Sequence, residues 1–599
     1  MKSSSASRGL LRALALALLF AGGGVARAAD LERGFQCLAW TDLPCAVEEA
    51  KGADGTVTGT LLQARVAFHQ GDFEQAVALS GSVLDRAAEV DLEAVDPVVP
   101  PRIGLDLESL SGGRLARYRS IGVEIPQAGG DEPPKVTLQQ DRSPEEDFEL
   151  LRAWMEEQHG LYLASLESSD GLVVTQYGPV EVLHHPGIER ILVLQAAEAI
   201  TLARERIAPL LGGPVPGTVR VEIYPDRSDF IAATGMPAGS VNTTGVVAIS
   251  KWNRLLLLSP RALGDGYGWR DTLVHEWIHM VVSYHAKDRA PIWLQEGLAK
   301  GTEMLWRQDG FSLEISKQSL LAGALKTDQW VTFEQMHPSM AYLPSAEMAG
   351  LAYAEVATMV EYLQLQTDRQ VLTRVIARVR KGEDAQDAVA NEANGGDFQA
   401  FWEGWKGWLR TLDLVGEKVA LSAVGEHMEG APDAIGGEGS EDVGYDPVLS
   451  RRKDLANRAR LGELMAEQGD HAAAILYFQE AMPEGEPASP AVVASLAESL
   501  IVLEREQEAL DLLRENLRYY PEESRTQTLA GDLLSKRGQT EQALAAYEAA
   551  AEVNPFDVHV QRSLMGLYKQ SGAREDAAAT ALVLDILTYR ELDSSVESR

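Results

Sequence analysis

The C-terminal part of this 599-residue chain repeats itself with a period of 34 residues. The residues that keep this spacing are Pro487, Pro521 and Pro555, and the pair Gly538 and Gly572. Each period holds two amphipathic helical segments, a tight turn between them and a proline that ends the second segment. A helical pair of this size cannot bury its apolar face alone, so neighbouring pairs must stack. The period therefore predicts an α-helical solenoid over residues 453–592.

This pattern resembles the tetratricopeptide repeat, whose helix–turn–helix units stack into a solenoid with a concave binding surface. The resemblance implies a protein partner for this region. It departs from the pattern at Leu503–Arg505, where the turn glycine is missing. Near the N-terminus, the segments Leu61–Phe68 and Gln75–Ala87 flank a turn at Gly71. They predict a further repeat-like helical segment over residues 29–95.

The first 28 residues have the features of a secretory signal peptide. Lys2, Arg8 and Arg12 precede an apolar run at Ala13–Phe20, and Ala26-Arg27-Ala28 has the small-x-small cleavage pattern. No later apolar run approaches the ~20 residues that a membrane-spanning helix needs. We therefore expect an exported protein, in a bacterial periplasm or secreted, with no integral membrane segment once the signal is removed.

The chain has two cysteines, Cys37 and Cys45. In an exported protein, two cysteines eight residues apart are expected to pair in one disulfide. Two free buried thiols are the alternative.

The formal net charge of −35 is strongly acidic. Such a chain is poorly suited to bind phosphate backbones, so nucleic-acid binding is not expected.

Two segments have the composition of linkers. Residues 96–144 are broken by proline and glycine pairs, and residues 412–452 are rich in glycine and acids. Between them, residues 145–411 combine short alternating runs, typical of strands, with a later series of helical patterns. The chain is therefore predicted to be a multidomain α+β protein, with a mixed domain flanked by helical repeats.

The mixed domain contains the sequence His275-Glu276-Trp277-Ile278-His279 within a helical pattern. Histidines at positions i and i+4 project from one face of a helix, so both imidazoles can bind one Zn²⁺. The glutamate after the first histidine can reach a water activated by the metal and act as its general base. A surface helix with two ordinary histidines is the alternative for this motif alone.

A third protein ligand is needed, because catalytic zinc sites use three ligands and leave one position open. Downstream, the segment Pro291–Ala299 has the pattern of a loop that leads into a second helix. Glu296 lies seventeen residues after His279, a gap that allows one antiparallel return and brings Glu296 opposite the histidines. Gly297 and Ala299 are small enough to let the two helices approach closely.

His285 is a competing third ligand, since it stands at the spacing of the third histidine in the pattern HExxHxxGxxH. That pattern needs a glycine where this chain has Val282, and a β-branched residue is poorly suited to the sharp turn. His285 is therefore expected to be an exposed histidine at the C-terminal end of the helix.

Together, the strand-rich lead-in, the HEWIH motif and the PIWLQEGLA segment resemble the gluzincin, or peptidase-MA-like, zinc metallopeptidases. The resemblance implies a two-lobed domain, with a mixed β lobe and a helical lobe, and one Zn²⁺ per chain. By position it implies His275, His279 and Glu296 as metal ligands and Glu276 as the catalytic base. It also implies an edge strand for extended substrate, which we place within Val246–Leu258.

Gluzincins often use a downstream tyrosine or histidine to stabilise the oxyanion. Tyr353, which precedes an amphipathic helix, is our candidate for this catalytic role. A core or interface tyrosine is the alternative for this residue, and Tyr342, His337 and Tyr362 are weaker rivals.

These features predict an exported zinc metallopeptidase that hydrolyses peptide bonds, with repeats that recruit substrate or a protein partner. The alternative is a non-catalytic scaffold built on the repeats, in which the zinc domain is vestigial or structural. An intact Glu276 favours the enzyme, because a purely structural zinc site does not need this acid.

Overall fold

A computed structural model describes residues 28–51, 57–88, 123–124, 137–138, 144–236, 246–337, 340, 343–415, 449, 452–483 and 487–597. The signal segment and most of the two expected linkers lie outside these ranges. The chain divides into two compact units. The first comprises Met1–Asp170, Ile231–Ala238 and Lys251–Arg254, and the second comprises Gly171–Phe230, Gly239–Ser250 and Leu255–Arg599. The described chain is mostly helical with a small mixed sheet, and none of its helices is long and apolar enough to cross a membrane.

The first unit is built mainly from five helices. They are α1 (Ala28–Ala39), α2 (Leu43–Lys51), α3 (Val57–Gln70), α4 (Phe73–Ala88) and α5 (Pro144–Ser168), and two short paired strands, β1 (Val123–Glu124) and β2 (Thr137–Leu138), precede α5. As predicted, Cys37 and Cys45 are joined in a disulfide, which links α1 to the start of α2. Helices α3 and α4 form a hairpin whose turn residue Gly71 has a positive φ of 76°.

Helix α5 lies with these N-terminal helices, although we expected the mixed domain to begin at residue 145. The ring of Tyr162 packs on Phe68 with 4.5 Å between centroids, and Ser80 Oγ lies 2.8 Å from His159 Nδ1. The apolar face of α5 therefore completes the core of the first unit. Its pattern shows that the helix is amphipathic but not which neighbours cover it.

A five-stranded sheet has the strand order β3-β4-β5-β7-β6. The strands are β3 (Val173–Tyr177), β4 (Val180–His184), β5 (Val219–Tyr224), β6 (Ala248–Lys251) and β7 (Arg254–Leu258). Strands β3 and β4 are antiparallel, whereas β4 and β5 are parallel with Val180 opposite Val219. The segment in which we expected an edge strand is a hairpin, turning at Trp252 and Asn253, which both have positive φ. Of the two strands of this hairpin, β6 lies at an edge of the sheet, while β7 lies inside the sheet and is fully buried.

Helices lie between and after these strands in the chain. They are α6 (Arg190–Arg206), α7 (Ala208–Leu211), α8 (Arg227–Thr234), α9 (Trp269–Ala286), α10 (Ile292–Thr302), α11 (Ile315–Thr327), α12 (Phe333–Met336), α13 (Ala346–Gln366), α14 (Val371–Arg380), α15 (Ala385–Ala393) and α16 (Phe398–Leu409). Short 3₁₀ turns follow β7 at Pro260–Ala262 and α10 at Glu303–Trp306.

Eight helices form the C-terminal repeats as four hairpins. They are α17 (Lys453–Glu467), α18 (His471–Glu480), α19 (Pro490–Val502), α20 (Glu506–Leu517), α21 (Ser524–Lys536), α22 (Thr540–Val553), α23 (Val558–Ser571) and α24 (Arg574–Glu597). One apolar core, including Leu510, Leu533 and Tyr547, runs through the stack. Neighbouring pairs thus bury each other's apolar faces, as the period predicts.

The turn that lacks glycine is closed by Glu504. This residue has a φ of +62°, while Gly538 and Gly572 have φ values of +72° and +80° at the corresponding positions. Glu504 is exposed, so its side chain gains no packing to offset the strained backbone. The repeat geometry therefore imposes the left-handed conformation whichever residue occupies the turn.

Replacing Glu504 by glycine is expected to stabilise the repeats. A non-glycine residue in this conformation is strained by roughly 1–2 kcal/mol, and glycine returns part of that as entropy of the unfolded chain. We therefore expect the free energy of unfolding to rise by about 0.5–1 kcal/mol. Thermal unfolding of the full chain checks this, with Glu504→Ala as the control that keeps the strain. Equal melting temperatures for the two variants would contradict the account.

The repeats also pack on the segment that leads into α9, within the same compact unit. The amide of Tyr267 donates to the carbonyl of Val553 at 3.3 Å, and Arg270 pairs with Glu552 at 3.1 Å. Gly266 has a φ of +77°, and a Cβ at this position would lie 2.3 Å from the Val553 carbonyl oxygen. The close approach therefore requires glycine at residue 266.

Candidate metal centre

Helix α9 carries both histidines of the motif and is largely buried. It begins after Gly268 and ends before Lys287, whose φ of +54° closes the last turn. His275 and Glu276 are buried, and His279 keeps 16% of its side chain exposed. Because the histidines are four residues apart, they share one face, and their Nε2 atoms lie 3.0 Å apart.

Helix α10 brings Glu296 to the same place. The helix begins after Pro291, and Glu296 is buried on it. Gly297 faces α13, and an added Cβ there would lie 3.0 Å from the carbonyl oxygen of Val356. Gly301 faces the same helix, and an added Cβ there would lie 2.8 Å from Cγ1 of Val360. We expected Gly297 and Ala299 to let α10 approach α9. Instead, Gly297 and Gly301 let α13 pack closely on α10, and this packing fixes the position of Glu296.

The three side chains converge on one point. Oε2 of Glu296 lies 3.3 Å from Nε2 of His275 and 3.5 Å from Nε2 of His279. Ligand atoms held at 2.0–2.2 Å around a tetrahedral zinc ion are roughly 3.3–3.5 Å apart. The Oε2 atom of Glu296 is buried and has no hydrogen-bond partner among the described residues. Two imidazole nitrogens and one carboxylate oxygen in this arrangement fit a Zn²⁺ ion.

The charges within this cluster are strongly coupled. Burial lowers the pKa of His275, but the nearby carboxylates of Glu296 and Glu303 outweigh this effect and raise the pKa to about 9. Burial raises the pKa of Glu296, yet the two imidazoles, His279 foremost, hold it well below its usual range. The two glutamates therefore favour a positive charge on His275, or a metal cation in its place.

A further residue, Glu303, supports His275 on the side of the ring away from the proposed metal, and the sequence motifs do not single it out. Its Oε2 lies 2.7 Å from Nδ1 of His275, and Lys300 Nζ lies 3.3 Å from its Oε1. Burial raises the pKa of Glu303, but Lys300 and His275 outweigh it and lower the pKa to about 2. An ionised Glu303 accepts a hydrogen bond from Nδ1–H of His275, which leaves Nε2 free to bind metal. The sequence contains one indication of this role, because Glu303 follows Glu296 by two helical turns and so lies on the same helix face.

Replacing Glu303 by glutamine is expected to lower zinc affinity by about 10- to 100-fold. The amide carries no charge to orient the imidazole or raise its basicity. Competition with a chromophoric chelator measures the affinity of the full chain. Glu334→Gln, at an exposed position, is the matched control and should bind like the wild type. Unchanged affinity in Glu303→Gln would show that Glu303 does not support the site.

Glu276 lies beside the ligands and is held by the edge strand. Its Oε2 accepts a hydrogen bond from the amide of Ser250, in β6, at 2.7 Å. A carboxylate oxygen of Glu276 and one ring nitrogen each of His275 and His279 lie within 4.8 Å of one another. The structure thus places a carboxylate, two imidazoles and the sheet edge together, as general-base chemistry next to a metal requires.

The other predicted residues lie elsewhere. His285 is half-buried rather than exposed, and its Nε2 lies 2.8 Å from the carbonyl oxygen of Gly213. Helix α9 continues without a break through Val282, so His285 points away from the cluster. Tyr353 is buried in α13 and lines a cavity together with Glu303. Its role in catalysis stays a prediction.

Among the described residues, no contact brings Tyr362 or His337 to the proposed ligands. Tyr362 packs its ring on Phe401 and Trp408. His337 is exposed, and Tyr342 lies outside the described residues.

Two family models match this chain. Residues 205–411 match the Peptidase MA superfamily, and residues 524–557 match the tetratricopeptide repeat. A comparison with curated proteins gives no match.

Several solved structures are distantly similar. MamA is 16% identical over 25% of this chain and 85% of its own, with a TM-score of 0.21. YrrB, described as a TPR protein with an unusual peptide-binding site, is 18% identical over 25% of this chain and 78% of its own, with a TM-score of 0.20. Native yeast LTA4 hydrolase is 11% identical over 69% of this chain and 66% of its own, with a TM-score of 0.25. TM-scores this low carry no argument about function.

The family matches agree with both resemblances drawn from the sequence. This chain therefore joins a domain of the Peptidase MA superfamily, over residues 205–411, to a tetratricopeptide repeat at residues 524–557.

Proposed function

We propose that this protein is an exported zinc metallopeptidase that hydrolyses peptide bonds. The observation that carries the proposal is the convergence of His275, His279 and Glu296 within 3.5 Å of one another, with Glu276 beside them. These three residues would hold one zinc ion. Zinc bound there would act as a Lewis acid and would lower the pKa of a water molecule.

The chain's own residues perform the remaining steps. Glu276 accepts a proton from the attacking water and passes it to the leaving amine. Strand β6 lies at the sheet edge, so its backbone groups pair with an extended substrate and align the scissile carbonyl. Glu303 keeps the His275 ring oriented throughout, and Tyr353 is the candidate donor to the developing oxyanion. In this proposal the sheet and the helices after it form the two lobes of a gluzincin-like domain.

Export belongs to the same proposal. The signal-like first 28 residues support it, and so does the Cys37–Cys45 disulfide, because disulfides persist in oxidising compartments.

Cleavage of a quenched fluorescent peptide library by the full chain tests the proposed activity. The zinc-loaded protein is expected to cleave library members, and a chelator is expected to stop the cleavage. A protein that binds one zinc per chain yet cleaves no peptide would favour the alternative, a scaffold that works through its repeats.

A further inference from the structure

A cavity of about 720 Å³ lies where the repeats meet the domain that carries the candidate metal centre. One wall comes from Val247, the first turn of α9 and Glu303, and the other comes from residues 518–523 and the end of α22. Both walls belong to the same compact unit. The volume is within the roughly 300–1,000 Å³ typical of ligand pockets.

The cavity lies close to the proposed catalytic residues. Val247 directly precedes β6, and three residues further along the same strand Ser250 donates its hydrogen bond to Glu276. Thr272, which also lines the cavity, is one helical turn before His275 and Glu276. An extended peptide advances about 3.3 Å per residue. A peptide paired with β6 therefore reaches the cavity about three residues from the bond beside Glu276.

The cavity carries an excess of negative charge. Its carboxylates are Asp271, Glu303, Glu314, Glu522, Glu523, Glu548 and Glu552, and its cationic side chains are Lys300, Arg307, Lys317 and Arg518. Each of the four cations already has an acidic partner. The pairs are Arg307 with Asp271, Lys300 with Glu303, Lys317 with Glu314, and Arg518 with Glu515. The potential inside the cavity therefore favours a positively charged ligand.

Glu522 is the acid best placed to meet such a ligand. It stands on the turn between α20 and α21, and a Cβ at Gly268 would lie 2.6 Å from its Oε2. Among the described residues, no cationic side chain forms an ion pair with it. Glu522 is exposed and shares the cavity wall with the carboxylates of Glu314 and Asp271. A cation beside Glu522 would therefore relieve repulsion among three carboxylates.

Aromatic rings complete the walls. They are Tyr267, Phe311, Tyr353, Tyr519 and Tyr520. A guanidinium group stacks on aromatic faces and can bind a carboxylate with a pair of hydrogen bonds. This combination of acids and rings suits an arginine side chain, and a lysine less well.

We propose that this cavity is a substrate subsite, built jointly by the repeats and the metal-binding domain, that takes an arginine or lysine side chain about three residues from the cleaved bond. The inference rests on the proposed peptidase function. It makes the repeats part of the active site, so that substrate recognition and cleavage are not divided between separate modules.

Peptide binding to the full chain tests the subsite without relying on cleavage. The probe is a fluorescein-labelled nine-residue peptide with arginine at positions 2, 5 and 8, and its partner has citrulline there. Citrulline keeps the shape of arginine but carries no charge. Fluorescence anisotropy is measured on zinc-loaded Glu276→Gln, which keeps the peptide intact. We expect the arginine peptide to bind about tenfold more tightly.

Substitutions in the same background locate the effect. Glu522→Gln is expected to remove most of the preference, and Glu522→Arg to reverse it. Glu541→Gln removes an exposed acid that does not line the cavity, and it should keep the tenfold preference. Equal binding of the two peptides would overturn the subsite. So would an equal loss of the arginine preference in Glu522→Gln and Glu541→Gln.

Cleavage of the two peptides by the wild-type chain separates the two proposals. Cleavage without a preference for arginine overturns the subsite and leaves the peptidase in place. An arginine preference in binding that depends on Glu522, without cleavage of any peptide, overturns the peptidase and leaves a peptide-binding cavity.

Discussion

Replacing Glu276 by glutamine is expected to lower kcat for peptide hydrolysis by about 10²- to 10⁴-fold, the usual contribution of a general base. The amide cannot accept a proton from the attacking water. Its oxygen can still accept the hydrogen bond from the amide of Ser250, so the side chain should stay in place. The measurement is steady-state cleavage of a library-derived peptide, with zinc content determined on the same sample.

Zinc content and fold should not change in this variant, because Glu276 is not one of the three proposed ligands. Glu334→Gln, exposed and distant in sequence from the motif, serves as the control and should retain full activity. A zinc-loaded Glu276→Gln with wild-type kcat would remove the proposed mechanism.

Stripping the metal is expected to abolish hydrolysis and to make the stability of the chain depend on pH. In the metal-free protein the pKa of His275 is about 9, above the ~6.5 of an unfolded histidine. The stabilisation that follows is fully present below pH ~6.5 and is lost as the pH rises through about 9. Its size is roughly 3 kcal/mol, counted once, because the contact between His275 and Glu303 also contributes to the lowered pKa of Glu303.

The melting temperature of the metal-free chain should therefore fall between pH 6.5 and pH 9. In the zinc-loaded chain this fall should be absent, since a bound metal replaces the proton on His275. Metal-free His275→Gln is the control, and it should lack the pH-dependent loss. A wild-type metal-free chain whose melting temperature does not change over this range would show that Glu303 and Glu296 do not raise the His275 pKa.

Much of the candidate site can be predicted from local sequence patterns. The i, i+4 spacing of His275 and His279 defines a helix face before any fold is known. The gap to Glu296 allows only a short return, so a third ligand on the next helix is a natural expectation. The helical repeats follow in the same way from their 34-residue period and their prolines.

What the sequence did not reveal depends on contacts between distant segments. Glu303 supports His275 only because the turn after α10 returns to α9, and a spacing of seven residues does not say which group it meets. The sequence indicates that Gly297 allows a close approach between helices, but the helix that approaches it is α13 rather than α9. Periodicity identifies the face of a helix that is covered, not the element that covers it.

The packing of the repeats on the start of α9 has the same origin. Gly266 accommodates the Val553 carbonyl, and nothing in the local pattern connects positions so far apart in sequence. Glu504 is a simpler case, because the 34-residue period itself marks the turn where glycine is missing. The 34-residue repeat holds the turn in the left-handed conformation in spite of the residue that occupies it.

The zinc content of the purified full chain, measured beside His275→Ala, tests the central claim most directly. The account predicts about one zinc per chain for the wild type, as a single three-ligand site requires, and almost none for the variant. No zinc in either protein after zinc has been supplied, or equal zinc in both, would contradict it.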